Sequence, residues 1–327
     1  MKFLSPWLHI SDICNCQCKY CFVANDKTIM SSKIINQLNK YILKKIKNNQ
    51  LDYCKYRIAG GEPLLFIDRW FNSIKYFLDN IRNNGGVEIL SNFTIYPDLL
   101  DTLLSHQNYC NINISLDNLK YSKPYKNGQT SHKETKNNIE KYIKRYNRRP
   151  FIMTVIIKNG KYLPELAEYI ISINAKWEIQ TNKYYEKDFN SEMVNENMQK
   201  VLNIFEKNNY SIDNILYNFC DLTTERICEN GKSMFAIMPN GDIMNCQMQT
   251  DIIGNVLVND LLTVLDDNKL NRVIRDEKCI GCNIFKYCHG DCPYKNQDNF
   301  RREYICKIMK FYVLKALKIK QRELKNA

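Results

Sequence analysis

The chain has 327 residues, enough for one large domain or two of ordinary size, and its 44% of hydrophobic residues is typical of a folded globular protein. Its first thirteen residues, MKFLSPWLHISDI, lack the basic and long apolar regions of a secretion signal, and no later segment has about eighteen uninterrupted apolar residues. We therefore expect a cytoplasmic protein that does not enter a membrane. The net charge of +12 is spread over lysines throughout the chain, which favours a solvated surface over a site for an anionic partner such as an acidic peptide or nucleic acid.

Short apolar runs alternate with longer amphipathic runs over the first two thirds of the chain, which predicts alternating strands and helices. The predicted strands cover residues 7–13, 55–59, 87–91, 111–116, 151–157 and 177–181. The predicted helices that follow them cover residues 31–48, 67–82, 97–105, 132–146, 162–173 and 192–207. Six such units predict an α/β fold with a parallel sheet. The pattern alone leaves a doubly wound sheet and an incomplete (β/α) barrel equally open.

Residues 220–327 break this alternation and contain eight of the fourteen cysteines. Cytosolic thiols stay reduced, so metal ligation is the expected use of these cysteines. We predict a core domain at residues 1–185, a sixth helix and linker at 186–219, and a small metal-held domain at 220–327. A basic amphipathic helix, predicted for residues 307–325, is expected to pack on this last domain.

The stretch CNCQCKYCF, residues 14–22, places four cysteines within eight residues. Zinc sites usually combine two CxxC pairs or add histidines, and here only His9 is nearby, so a complete zinc site would need distant ligands. Closely spaced thiolates in one loop also hold iron-sulfur clusters. Four cysteines would complete a cubane cluster, whereas three would leave one iron open to a substrate. The loop follows the first predicted strand, at the sheet edge where α/β enzymes place their chemistry.

A second motif, Gly60-Gly61-Glu62-Pro63, ends the second predicted strand. Its glycines allow the backbone to approach a ligand closely, although the tetrad alone is equally consistent with an ordinary turn. Together the two motifs resemble those of the radical S-adenosylmethionine (SAM) superfamily. Cys14-x3-Cys18-x2-Cys21 matches the CxxxCxxC signature of that superfamily, and residues 60–63 match its GGEP motif. The resemblance implies a partial (β/α)6 barrel.

The resemblance also implies a cofactor and a chemistry. Cys14, Cys18 and Cys21 would hold a [4Fe-4S] cluster whose fourth iron binds the amino and carboxylate groups of SAM, and Cys16 would be surplus. In this superfamily the reduced cluster cleaves SAM to methionine and a 5′-deoxyadenosyl radical, which abstracts hydrogen from an unreactive C–H bond.

The implied SAM contacts come from three segments. Gly60, Gly61 and Glu62 would meet the amino group through backbone and carboxylate. Tyr20 would lie near adenine, and Ser115, in the segment Ser115-Leu116-Asp117, would contact the ribose. Many relatives carry an arginine after that segment for the SAM carboxylate. Here Lys123 and Lys126 occupy the region instead.

The C-terminal cysteines resemble a SPASM domain, which carries two auxiliary [4Fe-4S] clusters in enzymes that modify peptides and proteins. The matching residues are Cys228, Gly241, Cys246, Cys279, Cys282, Cys288, Cys292 and Cys306. On these cysteines alone a zinc ribbon is the alternative.

By this resemblance the chain would carry three [4Fe-4S] clusters in all. The cysteines of the first auxiliary cluster would be Cys228, Cys246 and Cys292, with Cys220 as the candidate fourth ligand. The second auxiliary cluster would be held by Cys279, Cys282, Cys288 and Cys306.

The main functional hypothesis is an enzyme that matures a ribosomally made precursor peptide by a thioether or carbon-carbon crosslink or by epimerisation. Sulfatase maturation is disfavoured, because Gln247 follows Cys246 where that branch carries an aspartate. The implied partners are the precursor peptide and an electron donor such as flavodoxin or ferredoxin. Because Cys14 lies too close to the first residue for a preceding leader-binding domain, a leader would be held by the barrel, by the C-terminal domain or by a separate leader-binding protein. The alternatives are radical chemistry on a small metabolite or a protein residue, and a non-enzymatic zinc or electron-transfer module.

Overall fold

The computed structural model describes residues 2–23, 27–120, 123–181, 189–217, 231–248, 250–268, 279, 281–288 and 299–326. Cys220, Cys228 and Cys292, three of the predicted auxiliary-cluster ligands, lie outside these residues.

The described residues contain ten strands that join in one sheet. Their bounds are β1 Phe3–Ser11, β2 Tyr53–Gly60, β3 Gly85–Ser91, β4 Cys110–Ser115, β5 Phe151–Val155, β6 Lys176–Gln180, β7 Ile215–Tyr217, β8 Met234–Ile237, β9 Asp242–Met244 and β10 Ile252–Asn255. The strand order is β10-β9-β8-β1-β2-β3-β4-β5-β6-β7. Strands β1 to β7 pair in parallel with their sequence neighbours.

Six helices follow the first six strands, one after each, as the sequence predicts. The helices of the described chain are α1 Ser32–Lys47, α2 Ile67–Ile81, α3 Asp98–Leu104, α4 His132–Tyr146, α5 Leu163–Ser172, α6 Ser191–Lys207, α7 Leu261–Asp267, α8 Phe285–Cys288 and α9 Asn299–Asn326. A doubly wound sheet reverses its strand order part way along, whereas β1 to β7 run in sequence order without a reversal. The structure therefore has the partial barrel.

The core lies between the sheet and its helices. On α1, one face buries Ile34, Leu38 and Ile42, the spacing of an amphipathic helix, against the sheet. On β1, Leu8 belongs to the same buried cluster. Because side chains alternate along a strand, His9 faces the other side of the sheet, the barrel interior.

Two parts of the sheet differ from the sequence prediction. Strand β7 has three residues, and β8 to β10 have three or four each, too few to give a recognisable alternation. Strand β8 pairs in parallel with β1, with Trp7 opposite Ala236. The start of the cysteine-rich segment thus extends the barrel sheet at its β1 edge. The domain boundaries stay a prediction.

The C-terminal helix α9 packs on the other end of the sheet, beside β7. Tyr312 is fully buried and donates a hydrogen bond to the carbonyl oxygen of Ile215 at 3.2 Å. Glu323 accepts hydrogen bonds from the Ile212 N–H at 3.0 Å and the Ser211 hydroxyl at 3.2 Å. In the part of the chain that the structure describes, no helix is both long and apolar enough to cross a bilayer.

The close contact between the ends of β1 and β2 positions the cysteine stretch. The Gly61 N–H donates to Ser11 O at 2.5 Å, and the Glu62 N–H donates to Ile13 O at 2.9 Å. A Cβ on Gly61 would overlap the carbonyl oxygen of Ile13, and Gly60 has a φ of 131°, which other residues rarely adopt. The glycines therefore allow the backbone to approach the cysteine stretch itself.

We expect Gly61→Ala to lower the free energy of unfolding by about 3 kcal/mol, because the new methyl group meets a backbone oxygen that cannot move without breaking the Glu62 to Ile13 hydrogen bond. Urea denaturation under anaerobic conditions measures this change. The control is Gly128→Ala, where nothing lies within 4 Å of the new Cβ and only the strain of a positive φ, about 1 kcal/mol, is added. Equal losses in the two variants would contradict the steric explanation.

Candidate active site

The cysteine loop, residues 12–23, leaves β1 at the carboxyl edge of the sheet. On one side it is fixed to Gly61 and Glu62, as described above. On the other side, the Gln17 N–H donates to Pro124 O at 2.8 Å, and Cys16 forms a β-bridge with Tyr125. The loop is thus held between the end of β2 and the segment that follows β4.

The four cysteines of the loop differ in exposure. Cys16 is buried, Cys14 and Cys18 are half-buried, and Cys21 is exposed. The Cys21 N–H donates to Cys18 O at 3.1 Å, which closes a tight turn between these two residues. Cys14, Cys18 and Cys21 therefore remain accessible to a ligand, whereas Cys16 faces the protein.

Cys14 lies in a polar environment that favours its thiolate. Its sulfur accepts a hydrogen bond from the Cys16 N–H at 3.3 Å and one from Asn92 Nδ2 at 3.8 Å. The hydrogen bond with the neighbouring Cys16 thiol has the largest effect on the pKa of Cys14. Together with the Cys16 N–H and Asn92, it lowers this pKa to about 6. The same contact with Cys14 raises the pKa of Cys16, so Cys16 stays a thiol. Burial raises the pKa of Cys18 to about 11.

Glu62 is fully buried behind the loop, and protein donors surround its carboxylate. One oxygen accepts the Leu64 N–H at 3.1 Å and the Ser91 hydroxyl at 2.7 Å, and the other accepts the Asn92 N–H at 2.7 Å. Burial raises the pKa of Glu62 to about 7 despite these donors. The second oxygen accepts one hydrogen bond of the two it can accept, and like the rest of the side chain it is buried.

A charged cluster lies on the other side of the loop. The Tyr20 hydroxyl donates a short hydrogen bond to Asp117, which also accepts the Val155 N–H at 2.9 Å. Lys123 Nζ lies 4.0 Å from Asp117 Oδ2 and 5.8 Å from the centre of the Tyr20 ring. Burial alone would lower the pKa of Lys123, but Asp117 and the nearby cysteines raise it. Lys123 therefore keeps its charge, with its side chain only 11% exposed.

The structure brings most of the predicted N-terminal site residues to one edge. The cysteine loop with Tyr20, the residues Gly60 to Glu62, and Ser115 at the end of β4 all lie at the carboxyl ends of parallel strands. It also separates the two lysines, because Lys123 is turned inward and Lys126 is exposed. The predicted contacts of Tyr20, Gly60, Gly61, Glu62 and Ser115 with SAM stay predictions.

The described C-terminal cysteines are spread over several elements. Cys246 is buried two residues after β9, Cys279 and Cys282 form a tight turn, Cys288 ends α8 and Cys306 lies in α9. Within the described ranges, no three His, Cys, Asp or Glu side chains stand close enough together to hold a single metal ion. The assignment of these cysteines to two clusters stays a prediction.

Asn92 and Asp117 are parts of this site for which the sequence motifs predicted no role. Asn92 directly follows β3, and Asp117 comes two residues after β4. Both positions are at the carboxyl ends of strands, where ligand-binding residues of parallel sheets cluster. That rule could have identified both residues.

The donor types at this edge fit an iron-sulfur cluster and SAM. Three accessible thiols, Cys14, Cys18 and Cys21, occur on one loop, and cysteine thiolates are the usual ligands of such clusters. Glu62 on one side and Lys123 on the other match the ammonium and carboxylate groups of an amino acid.

No model of a known protein family matches the sequence. The radical SAM cyclopropyl synthase TigE of Paramaledivibacter caminithermalis is 26% identical over 87% of this chain, which spans about two thirds, 66%, of that protein. Among solved structures, anSMEcpe with bound AdoMet (SAM) and Cp18Cys peptide has a TM-score of 0.78 at 16% identity, over 98% of this chain and 99% of the other.

A second solved structure, Streptococcus suis SuiB bound to precursor peptide SuiA, has a TM-score of 0.66 at 20% identity. The match covers 90% of this chain and 72% of SuiB. These structural matches establish a shared fold, and the sequence match adds homology to a radical SAM synthase. The resemblance of the cysteine and GGEP motifs to those of the radical SAM superfamily is thereby confirmed by a relative that is itself a radical SAM enzyme.

Proposed function

We propose that this protein uses SAM and an iron-sulfur cluster to modify a ribosomally made peptide by radical chemistry. The observation that carries this proposal is the position of the CxxxCxxC loop, which lies at the carboxyl edge of a partial barrel with Glu62 and Lys123 on either side. The reaction is proposed to take place in the cytoplasm, where an electron donor such as flavodoxin or ferredoxin is available.

In this proposal Cys14, Cys18 and Cys21 hold a [4Fe-4S] cluster. When bound, the cluster supplies the electron that cleaves SAM and so gives the radical that removes a substrate hydrogen. The loop contributes a fixed geometry, because hydrogen bonds to Ser11 and Ile13 on one side and to Gln17 on the other limit its movement. A cluster that keeps one open iron is expected to be sensitive to oxygen.

The same edge offers groups for SAM. The N–H groups of Gly61 and Glu62 are already bonded to the cysteine loop, so backbone contacts from these two residues to a ligand come from carbonyl oxygens, which suit an ammonium group. The Glu62 carboxylate is proposed to contact the same group. Lys123 is proposed to bind the carboxylate, the part that an arginine plays in many relatives. Contacts of Gly60, Tyr20 and Ser115 with SAM are also proposed, because all three residues lie at the same carboxyl edge of the sheet.

Two auxiliary [4Fe-4S] clusters are proposed for the C-terminal cysteines, with Cys220 as the fourth ligand of the first cluster. Support comes from the pairing of β8 with β1, which attaches the start of this segment to the strand that leads into the cysteine loop. A small domain with little core volume would need such metal centres to stay folded.

A peptide substrate is supported by the relatives. SuiB was solved with its precursor peptide, and anSMEcpe was solved with a peptide. Similarity to a cyclopropyl synthase favours carbon-carbon bond formation among the proposed modifications. A separate leader-binding protein is proposed as a further partner. A small metabolite or a protein residue is the alternative substrate.

We expect the protein, reconstituted with iron and sulfide without oxygen and reduced with dithionite, to convert SAM to 5′-deoxyadenosine. Chromatography of the reaction mixture detects this product, and its absence from cluster-loaded protein would rule out both the peptide and the metabolite reactions. Coexpression with a short peptide encoded beside the gene, followed by mass spectrometry, then identifies the modification. A loss of two daltons indicates a crosslink, and an unchanged mass with deuterium uptake indicates epimerisation.

We expect Cys16→Ala to keep the SAM-binding cluster and SAM cleavage, because Cys16 is buried against the protein. Alanine at Cys14, Cys18 or Cys21 should abolish both. The variants are compared in the full protein, where loss of the N-terminal cluster lowers the iron content by the share of one cluster and removes the formation of 5′-deoxyadenosine. Equal loss from Cys16→Ala would show that the proposed ligand set is wrong.

We expect Lys123→Gln to weaken SAM binding about tenfold, about 1.4 kcal/mol, because it removes a buried cation from the proposed carboxylate site. Equilibrium dialysis with the cluster-loaded protein measures the dissociation constant. Lys126→Gln is the matched control, since it removes the same charge from an exposed side chain three residues away. If both variants bind SAM equally well, Lys123 does not contact the carboxylate.

A further inference from the structure

Asn92 is held in place by hydrogen bonds to its backbone and to its side-chain oxygen. It is 7% exposed and directly follows β3. Its N–H donates to Glu62 at 2.7 Å, and its carbonyl oxygen accepts the Thr135 hydroxyl at 3.0 Å. Its side-chain oxygen accepts the Thr94 N–H at 3.0 Å and the Thr94 hydroxyl at 2.8 Å. The side chain therefore has little freedom to rotate.

These bonds determine which way the amide of Asn92 points. A backbone N–H can only donate, so the side-chain atom that meets the Thr94 N–H must be the oxygen. The nitrogen, Nδ2, consequently faces the cysteine loop. It lies 2.9 Å from Asn15 Oδ1, 3.4 Å from Cys16 Sγ and 3.8 Å from Cys14 Sγ. One of its two hydrogens serves Asn15, which leaves the second for a sulfur.

Ligation would decide which sulfur receives this second hydrogen. A thiolate accepts hydrogen bonds more strongly than a neutral thiol. Cys14 is a proposed cluster ligand and Cys16 is not, so Cys14 is the better acceptor once a cluster is present. Asn15 is itself held in place, because its amide nitrogen donates to the Thr94 hydroxyl at 2.8 Å. Its side-chain oxygen therefore keeps the first hydrogen of Asn92 Nδ2 and leaves the second hydrogen for sulfur.

We propose that Asn92 is a positioning residue that donates an N–H···S hydrogen bond to Cys14 and thereby raises the reduction potential of the N-terminal cluster. This inference rests on the proposed function, because it requires a cluster on Cys14. Hydrogen bonds to cluster sulfurs stabilise the more negative, reduced form more than the oxidised form. Because the Asn92 N–H donates to Glu62, Asn92 also connects the cluster site to the end of β2.

The test is a redox titration of the full cluster-loaded protein, followed by electron paramagnetic resonance, in which the N-terminal cluster is identified by the change of its signal when SAM is added. In Asn92→Ala the ratio of reduced to oxidised cluster at a given solution potential should fall about fivefold, which is about 40 mV at 59 mV per tenfold for one electron. Asn92→Asp, which keeps the acceptor for Thr94 but has no donor when ionised, should also lower the potential.

Thr94→Val is the matched control for loosening of the network. It removes the hydroxyl that holds Asn92 and Asn15 but leaves the amide donor in place. The proposal fails if the potential is unchanged in Asn92→Ala, or if Thr94→Val lowers it as much. The iron content of the unmutated protein distinguishes failure of this proposal from failure of the proposed function. Unmutated protein that binds no cluster contradicts the proposed function.

A measurement on the unmutated cysteine loop covers the case in which the Asn92 variants do not assemble a cluster. Asparagine labelled with a nitrogen isotope in its side-chain amide is incorporated, and pulsed magnetic resonance of the reduced cluster detects magnetic coupling to nearby labelled nitrogen. Coupling to a labelled side-chain amide is expected. Its absence would overturn the proposal without any substitution.

Discussion

The buried carboxylate of Glu62 holds the active edge of this barrel together. A buried charge is costly unless it is hydrogen-bonded, and Glu62 offsets part of this cost with Leu64 on its own segment and with Ser91 and Asn92 at the end of β3, although burial still raises its pKa to about 7. Its backbone N–H also binds Ile13 of the cysteine loop. One residue thus joins the ends of β1, β2 and β3, so the loop geometry depends on the barrel.

The edge has an asymmetric distribution of charge. Glu62 lies beneath the loop, whereas Lys123, Asp117 and Tyr20 form a second group beside it. Lys123 is held by a partner 4.0 Å away, a looser pairing than a direct hydrogen-bonded contact, so its charge is only partly neutralised. A zwitterionic ligand would satisfy both groups at once, whereas a purely anionic or cationic ligand would satisfy one of them.

The sequence predicted the six strand-helix units because each is long enough to show its periodicity. It did not predict β7 to β10, whose three or four residues are held by pairing with neighbouring strands. Position along the chain could not separate Lys123 from Lys126, since the inward turn of Lys123 depends on the fold around Asp117. The GGEP glycines were expected to approach a ligand, and they approach the cysteine loop, because Gly61 and Glu62 bond to Ser11 and Ile13.

Strand register also bears on the role of the first proposed auxiliary cluster. Strand β9 runs antiparallel to β8, with Met244 opposite Ala236, which lies opposite Trp7 of β1. Two residues further on, Cys246 is therefore level with the region of Ser5, six residues before the end of β1 at Ser11. At about 3.3 Å per residue this separation is roughly 20 Å along the strand. If the proposed cluster is held near Cys246, this separation from the cysteine loop favours electron transfer over direct binding of the substrate as its role.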